Sequence, residues 1–428
     1  MLKTKITKAV EEAVKGMKNE MIETLQNLVR IPSVTGTEGK AQKFIRTLFE
    51  SLGVEVIGFE ADRRKIMNHE AYIDSGLAYE GRGNIIGILK GDSRKKSIIL
   101  NGHVDTVSPE PIDAWEHDPW GGIVEGNRLY GIGALDMKGG LVANIYALKA
   151  LNKIGLKPKG TAMIQSVIEE ECGGAGGTLA CFLEGYTADG MIATEPYPFV
   201  CIARAGLVYF RIKVKGKTAH GGRSHLGVNA ISKMLKIYQA LEKLDEDRAV
   251  SISFPMFEKW SGRSCNLSIS SMKAGSWIPT TIAGSAEIEG RISFVPGEKR
   301  EEIRKLIEDT VGKTAESDPW LREHPPVVEY FSFQTDPEYY EPSNPFVQTI
   351  VSSAKMIIGE NVEVRGRPSA ADTRFSQYFG FPSVSYGPGG DNPHAPDEYV
   401  DLDTFETVTK VLAIATLRWC ALDKDESP

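Results

Sequence analysis

The sequence predicts an α/β fold, a mixed and mostly parallel sheet flanked by helices, interrupted by an inserted ferredoxin-like α+β domain. Three observations predict it. Short apolar, β-branched runs recur through the first half of the chain and near its C-terminus, each stopping at a charged residue or a glycine or proline turn, as strands buried on both faces do. Segments with apolar positions at helical spacing stand between them. From Leu207 onward the pattern becomes strict alternation, with Val208, Phe210, Ile212 and Val214 on one side and Tyr209, Arg211, Lys213 and Lys215 on the other. The elements that follow run β-α-β-β-α-β, the order of a ferredoxin-like unit. At 428 residues the chain exceeds the usual single-domain size. The domains are therefore placed at 1–204 plus 337–428, and at 205–336 for the insert.

Taken in order, apolar Val10, Val14, Met17, Met21, Leu25 and Leu28 predict one helix over 8–29, ending before Ile31-Pro32. A helix over 40–52 and a strand over 54–59 follow. Residues 84–90 and 96–101 are two short strands separated by the turn signal Gly91-Asp92-Ser93, and the second runs into Gly102-His103-Val104-Asp105. Turn residues at Asp118-Pro119 and Glu125-Gly126-Asn127 make 115–130 a loop and hairpin. The chain then reaches Asp136 between glycines, with a helix starting at Leu141. Strands at 162–168 and 189–195 end in carboxylates. The insert contributes strands near 207–215, 266–273, 281–294 and 327–333, and helices over 229–244 and 298–316. A last strand at 381–386 opens into a glycine- and proline-rich loop to His394, and 424–428 is expected to fray.

Chemistry gathers at the strand ends, where an open α/β sheet binds ligands. They carry His103, Asp136, Glu170 or Glu171, and Glu195, and the late loop adds His394. Each alone has an ordinary reading: His103 as a hydrogen-bonded structural residue, Asp136 as a helix cap, the triplet Glu169-Glu170-Glu171 as a wet surface feature. Together, two imidazoles and three or four carboxylates suit a two-metal hydrolytic site, in which one carboxylate bridges both ions and another is left to take a proton from water. Asp136 is the natural bridge.

These stretches, Gly102-His103-Val104-Asp105, Leu129 through Asp136 to Gly140, Glu169-Glu170-Glu171-Cys172-Gly173-Gly174, Ala193-Thr194-Glu195-Pro196 and His394-Ala395-Pro396-Asp397-Glu398, resemble the M20 metallopeptidase and deacylase family in order and spacing. The match is nearest to its acetylornithine deacetylase and succinyl-diaminopimelate desuccinylase branch. The resemblance implies a zinc-peptidase-like domain holding two divalent ions, zinc with cobalt or manganese as substitutes. His103 and Glu195 would hold one ion, Glu171 and His394 the other, and Asp136 both, with Asp105 behind His103. It implies Glu170 as the general base on water activated by the ions, and a cis Asp136-Met137 peptide. It further implies His220, in Gly216 to Gly222, as a stabiliser of the developing oxyanion, Arg374 as the holder of a substrate carboxylate, and the insert as a lid through which a homodimer forms. Ser-Pro usually follows that histidine, where this chain has Gly221-Gly222-Arg223. For Arg374 the plain alternative is an ordinary ion pair with Asp372 or a neighbour.

The expected activity is removal of an N-acyl group from an amino acid; a di- or tripeptidase or carboxypeptidase, and an inactive metal-stabilised binding module, are the alternatives. A net charge of −7 and a pI near 5.7 set nucleic acid and anionic membrane aside as partners. With no leader-like N-terminus and no span-length apolar stretch, a cytoplasmic location is expected. The five cysteines, Cys172, Cys181, Cys201, Cys265 and Cys420, form no C-x-x-C pair, so neither a disulfide framework nor a zinc knuckle is indicated; Cys172, beside the acids, is the one placed near a reactive centre.

Overall fold

The computed structural model describes residues 2–276 and 278–424, so the expected frayed tail lies outside the described residues beyond Lys424. The chain divides into two compact units: Met1–Ile202 with Tyr340–Val364 and Ala371–Pro428, and Ala203–Tyr339 with Arg365–Ala370.

In the first unit the strands lie in the order Glu55–Phe59, Asn84–Leu89, Ala162–Val167, Ile98–His103, Met191–Ala193, Ser383–Ser385, Val200–Arg204. The four central strands are mutually parallel, and the pairings outside them are antiparallel. Wholly buried side chains on Ile98–His103 and Ala162–Val167 account for their unbroken apolar character. Because side chains alternate across a strand, Ile99 and Met163 pack with Leu179, Phe182 and Phe375 on one face. On the other face Gly102 lies against Leu141 of the helix Gly139–Lys153. That helix packs in turn on Leu402–Trp419.

The single helix expected over 8–29 is two, Leu2–Lys15 and Lys18–Val29. Gly16, the weakest helix former here, sits at the break, and the Met17 amide reaches back only to the Val14 carbonyl. The apolar stripe nonetheless holds through the break, with Val10, Val14, Met21, Leu25 and Leu28 all buried. A small antiparallel sheet joins the hairpin Ile123–Glu125 and Arg128–Tyr130 to Tyr399–Asp401 and Gly390–Asp391. Two further helices, Pro345–Ile358 and Leu402–Trp419, have no counterpart in the sequence reading.

In the second unit a four-stranded antiparallel sheet has the order Leu267–Gly275, Ser285–Phe294, Gly206–Lys215, Val327–Thr335. This is the ferredoxin-like arrangement. Val208, Phe210, Ile212 and Val214 face the helices Ala230–Ser251 and Arg300–Glu316, closing a core of their own. Among the described residues no helix is long and apolar enough to cross a membrane. All five cysteines are free; four are buried and Cys172 is exposed.

Candidate metal centre

The parallel strands bring their carboxyl ends to one edge. His103 closes the strand Ile98–His103, the Glu169-Glu170-Glu171 turn follows Ala162–Val167, and Glu195 follows Met191–Ala193. Asp136 arrives from a turn leading into the helix Gly139–Lys153, and the Asp136-Met137 peptide is cis. His394 comes from the loop between Gly390–Asp391 and Tyr399–Asp401.

The geometry centres on Asp136. Its Oδ1 lies 3.3 Å from His103 Nε2 and its Oδ2 lies 3.4 Å from His394 Nε2, so each carboxylate oxygen faces a different imidazole. Glu171 Oε1 lies 3.0 Å from His394 Nε2. Potential ligand atoms of His103, Asp136 and Glu171 lie within 4.8 Å of one another, as do those of His103, Glu170 and Glu195. The structure therefore brings together all six residues expected at the centre. His220 belongs to the second unit, where it opens the turn Gly221–Leu226 and its Nδ1 accepts the Gly222 amide at 3.1 Å.

The field of this cluster favours a cation. Burial alone would lower His103, but Asp136, Asp105 and Glu170 outweigh it and raise its pKa well above the usual value. Hydrogen bonds to Asp136 and Glu171 push His394 up to about 11. Burial works against Asp136, yet the two imidazoles hold it far below the ordinary carboxylate range. Burial, then the nearby Glu195 carboxylate, holds Glu170 well above its usual value. Burial likewise lifts Glu171 to about 7. Imidazole nitrogens and hard carboxylate oxygens converging with this polarity fit a pair of divalent ions.

Behind the ligands stands a backing of buried polar groups. Asp105 accepts the Glu170 amide on Oδ1 and the Glu171 amide on Oδ2, both at 3.2 Å, and the Thr35 hydroxyl at 2.8 Å. Its backbone carbonyl meets His103 Nδ1 at 2.9 Å, which leaves Nε2 to face the centre. Asp105 thus orders the acidic turn as well as the histidine. Glu169 is not at the centre: it is buried at φ +68°, accepts the Gly176 amide at 3.1 Å and lies 3.8 Å from the Arg82 guanidinium. The following Gly173 and Gly174, at φ +114° and +64°, occupy the left-handed region that glycine enters freely. Arg374 is buried; its guanidinium donates to the Gly173 carbonyl and packs over Phe375.

Sequence reasoning missed Glu398, whose role is visible only in the fold. Its Oε1 accepts the amides of Leu135 and Asp136 at 2.9 and 3.0 Å, fixing the turn that presents Asp136. The signal available was its place directly after His394-Ala395-Pro396-Asp397.

Peptidase family M20/M25/M40 matches residues 99–418. The chain is 28% identical to an N-formyl-4-amino-5-aminomethyl-2-methylpyrimidine deformylase of Halalkalibacterium halodurans, covering 99% of this chain and all of that one. It is 26% identical to a succinyl-diaminopimelate desuccinylase of Rhodopseudomonas palustris over 90% of this chain and 94% of the relative. In fold it resembles a tripeptidase from Staphylococcus aureus, with a TM-score of 0.74 and 19% identity over 95% of this chain and 99% of that one.

Proposed function

The chain belongs to peptidase family M20/M25/M40 and is one of its amide-bond hydrolases; from that premise we propose that it removes a small N-acyl group from an amine, using two divalent ions, zinc first among them. The observation that carries the reading is the split of the Asp136 carboxylate between His103 and His394. His103 and Glu195 would hold one ion, His394 and Glu171 the other, and Asp136 both. Bound there, the ions would polarise the amide carbonyl and acidify water.

The remaining work falls to side chains. Glu170 stands 4.0 Å from His103 with its pKa raised by burial, a setting suited to taking a proton from the attacking water and returning it to the departing nitrogen. Asp105 holds the two amides that aim Glu170 and Glu171. His220 accepts the Gly222 amide on Nδ1, which turns the Nε2 edge of the ring outward; we assign it the oxyanion contact in the closed enzyme. The second unit is assigned to closure and to pairing with a second copy.

For the substrate, two considerations favour an acylated amine over an acyl amino acid. Two relatives, aligned over 99% and 98% of this chain, carry the deformylase name. Arg374, expected to hold a substrate carboxylate, is buried and bonded to the turn after Glu171, so its assigned part is to brace that turn. The test is release of free amine from one panel: N-formylaminomethylpyrimidine, N-formyl and N-acetyl amino acids, N-acetylornithine, N-succinyl-diaminopimelate, and di- and tripeptides. Formyl compounds should give the highest kcat/KM. Turnover of peptides alone would move the protein to the peptidase side of the family. Bound ions with no turnover across the panel would leave only a metal-stabilised binding module.

A further inference from the structure

We propose that His117 is a positioning residue for the His394 half of the metal centre, acting through Asp397; the inference rests on the dinuclear reading above. The ligand side chains are not equally secured. His103 is 1% exposed and sits in the central sheet, whereas the His394 side chain is 47% exposed. His394 rides a loop in which Asn392, His394 and Asp397 all take left-handed φ values, between +57° and +61°. Such a stretch of non-glycine residues keeps its shape only where its surroundings enforce it.

Two adjacent acids do this in opposite directions. Glu398 reaches the amides of Leu135 and Asp136, which ties the loop to the bridging carboxylate. Asp397 reaches the other way. Its carboxylate accepts the amide of Glu116 at 3.2 Å, the amide of His117 at 3.0 Å and His117 Nδ1–H at 2.9 Å. The imidazole is itself clamped: it stacks on Tyr130 at 3.9 Å between centroids and 6° between planes, and its Nε2 lies 3.5 Å from Glu125. Tyr130 pairs in register with Tyr399, just beyond the loop. His117 therefore links the hairpin at 123–130 to Asp397, three residues from His394. Without its Nδ1 donor, the loop keeps its two amide bonds to Asp397 but loses the side chain that fixes their direction, and His394 drifts relative to Asp136 and Glu171.

The test uses the full-length chain stripped of metal and titrated with cobalt(II), read by visible absorption and by competition with a chelator. His117→Phe keeps a ring to stack on Tyr130 and removes the donor; His117→Asn offers an amide N–H near the place of Nδ1. The expected result is two ions in the unaltered chain and, in His117→Phe, one ion weakened by about tenfold, the scale on which partners behind metal ligands act, with an altered cobalt spectrum and the other ion unchanged. His117→Asn should restore both. Equal affinities in His117→Phe and the unaltered chain would overturn the inference, as would a parallel weakening of both ions that follows a fall in Tm, since that is general destabilisation. An unaltered chain that takes up no cobalt would overturn the metal reading and the inference together.

Discussion

Glu170 shares with Glu171 an amide held by Asp105 and a proton affinity raised by burial, but it alone of the two stands outside the five proposed ligands. Glu170→Gln preserves size and hydrogen bonding but cannot accept the proton, so kcat should fall by about 10²- to 10⁴-fold. Metal analysis should still find both ions, because the five ligands are untouched; loss of an ion would reassign Glu170 as a ligand. The histidines give a second prediction. His394 is pushed up to about 11 and His103 well above its usual value, so in the ion-free site both favour the protonated state, and each must lose a proton to ligate. Ion uptake should release protons, and affinity should rise with pH across neutrality. Calorimetry in buffers of different ionisation enthalpy reads this directly, and an uptake enthalpy indifferent to the buffer would contradict it. Residues of this kind were legible because their signals are short-range: His103 two positions from Asp105, Asp136 among glycines, three acids before Gly173-Gly174. Glu398 and His117 were not, since their partners lie 263 and 280 residues away in the chain; the place of Glu398 after His394-Ala395-Pro396-Asp397 marks the loop but not the amides it reaches.

At the scale of elements, the centre depends on how closely the helix Gly139–Lys153 approaches the strand ends. A Cβ added at Gly140 would stand 2.0 Å from the Thr194 carbonyl oxygen, next to Glu195, and backbone cannot step aside as a side-chain tip can. Gly140→Ala should therefore cost about 1–3 kcal/mol in denaturant unfolding, the range for overpacked sites, and weaken the ion held by His103 and Glu195. Unchanged stability would mean that the helix tolerates the displacement. The strands that converge here were readable because burial on both faces leaves an unbroken apolar run. Leu402–Trp419 escaped for the related reason that it is buried all round from Val411 through Thr416, which confines its amphipathic stripe to the first half, at Leu402, Phe405 and Val408. Pro345–Ile358 did carry a local signal, Asn344 capping the Phe346 amide ahead of Pro345 at the first turn, which apolar periodicity alone overlooks. The break at Gly16 shows the converse, an apolar stripe continuing across two helices.

At the scale of the molecule, the change from unbroken to alternating strands at Leu207 was the clearest signal of organisation, because a sheet with one wet face writes its period into every strand. The same feature predicts autonomy. The second unit encloses its own core, from Val208 and Phe210 on the sheet to Ile303, Ile307 and Leu321 on its helices. The ends of its main segment are neighbours, since Ala203 pairs in register with Tyr339. A segment with its own core and adjacent ends can be closed off without threading or strain. The fragment Ala203–Tyr339 should therefore fold alone, with a cooperative melt by circular dichroism; a broad, non-cooperative change would mean that it borrows its stability. If pairing between copies belongs to this unit, the isolated fragment and the full-length chain should both sediment as dimers at equal concentration. A dimeric full-length chain with a monomeric fragment would move the pairing surface to the metal-binding unit, and a monomer in both would remove self-association from the account of closure.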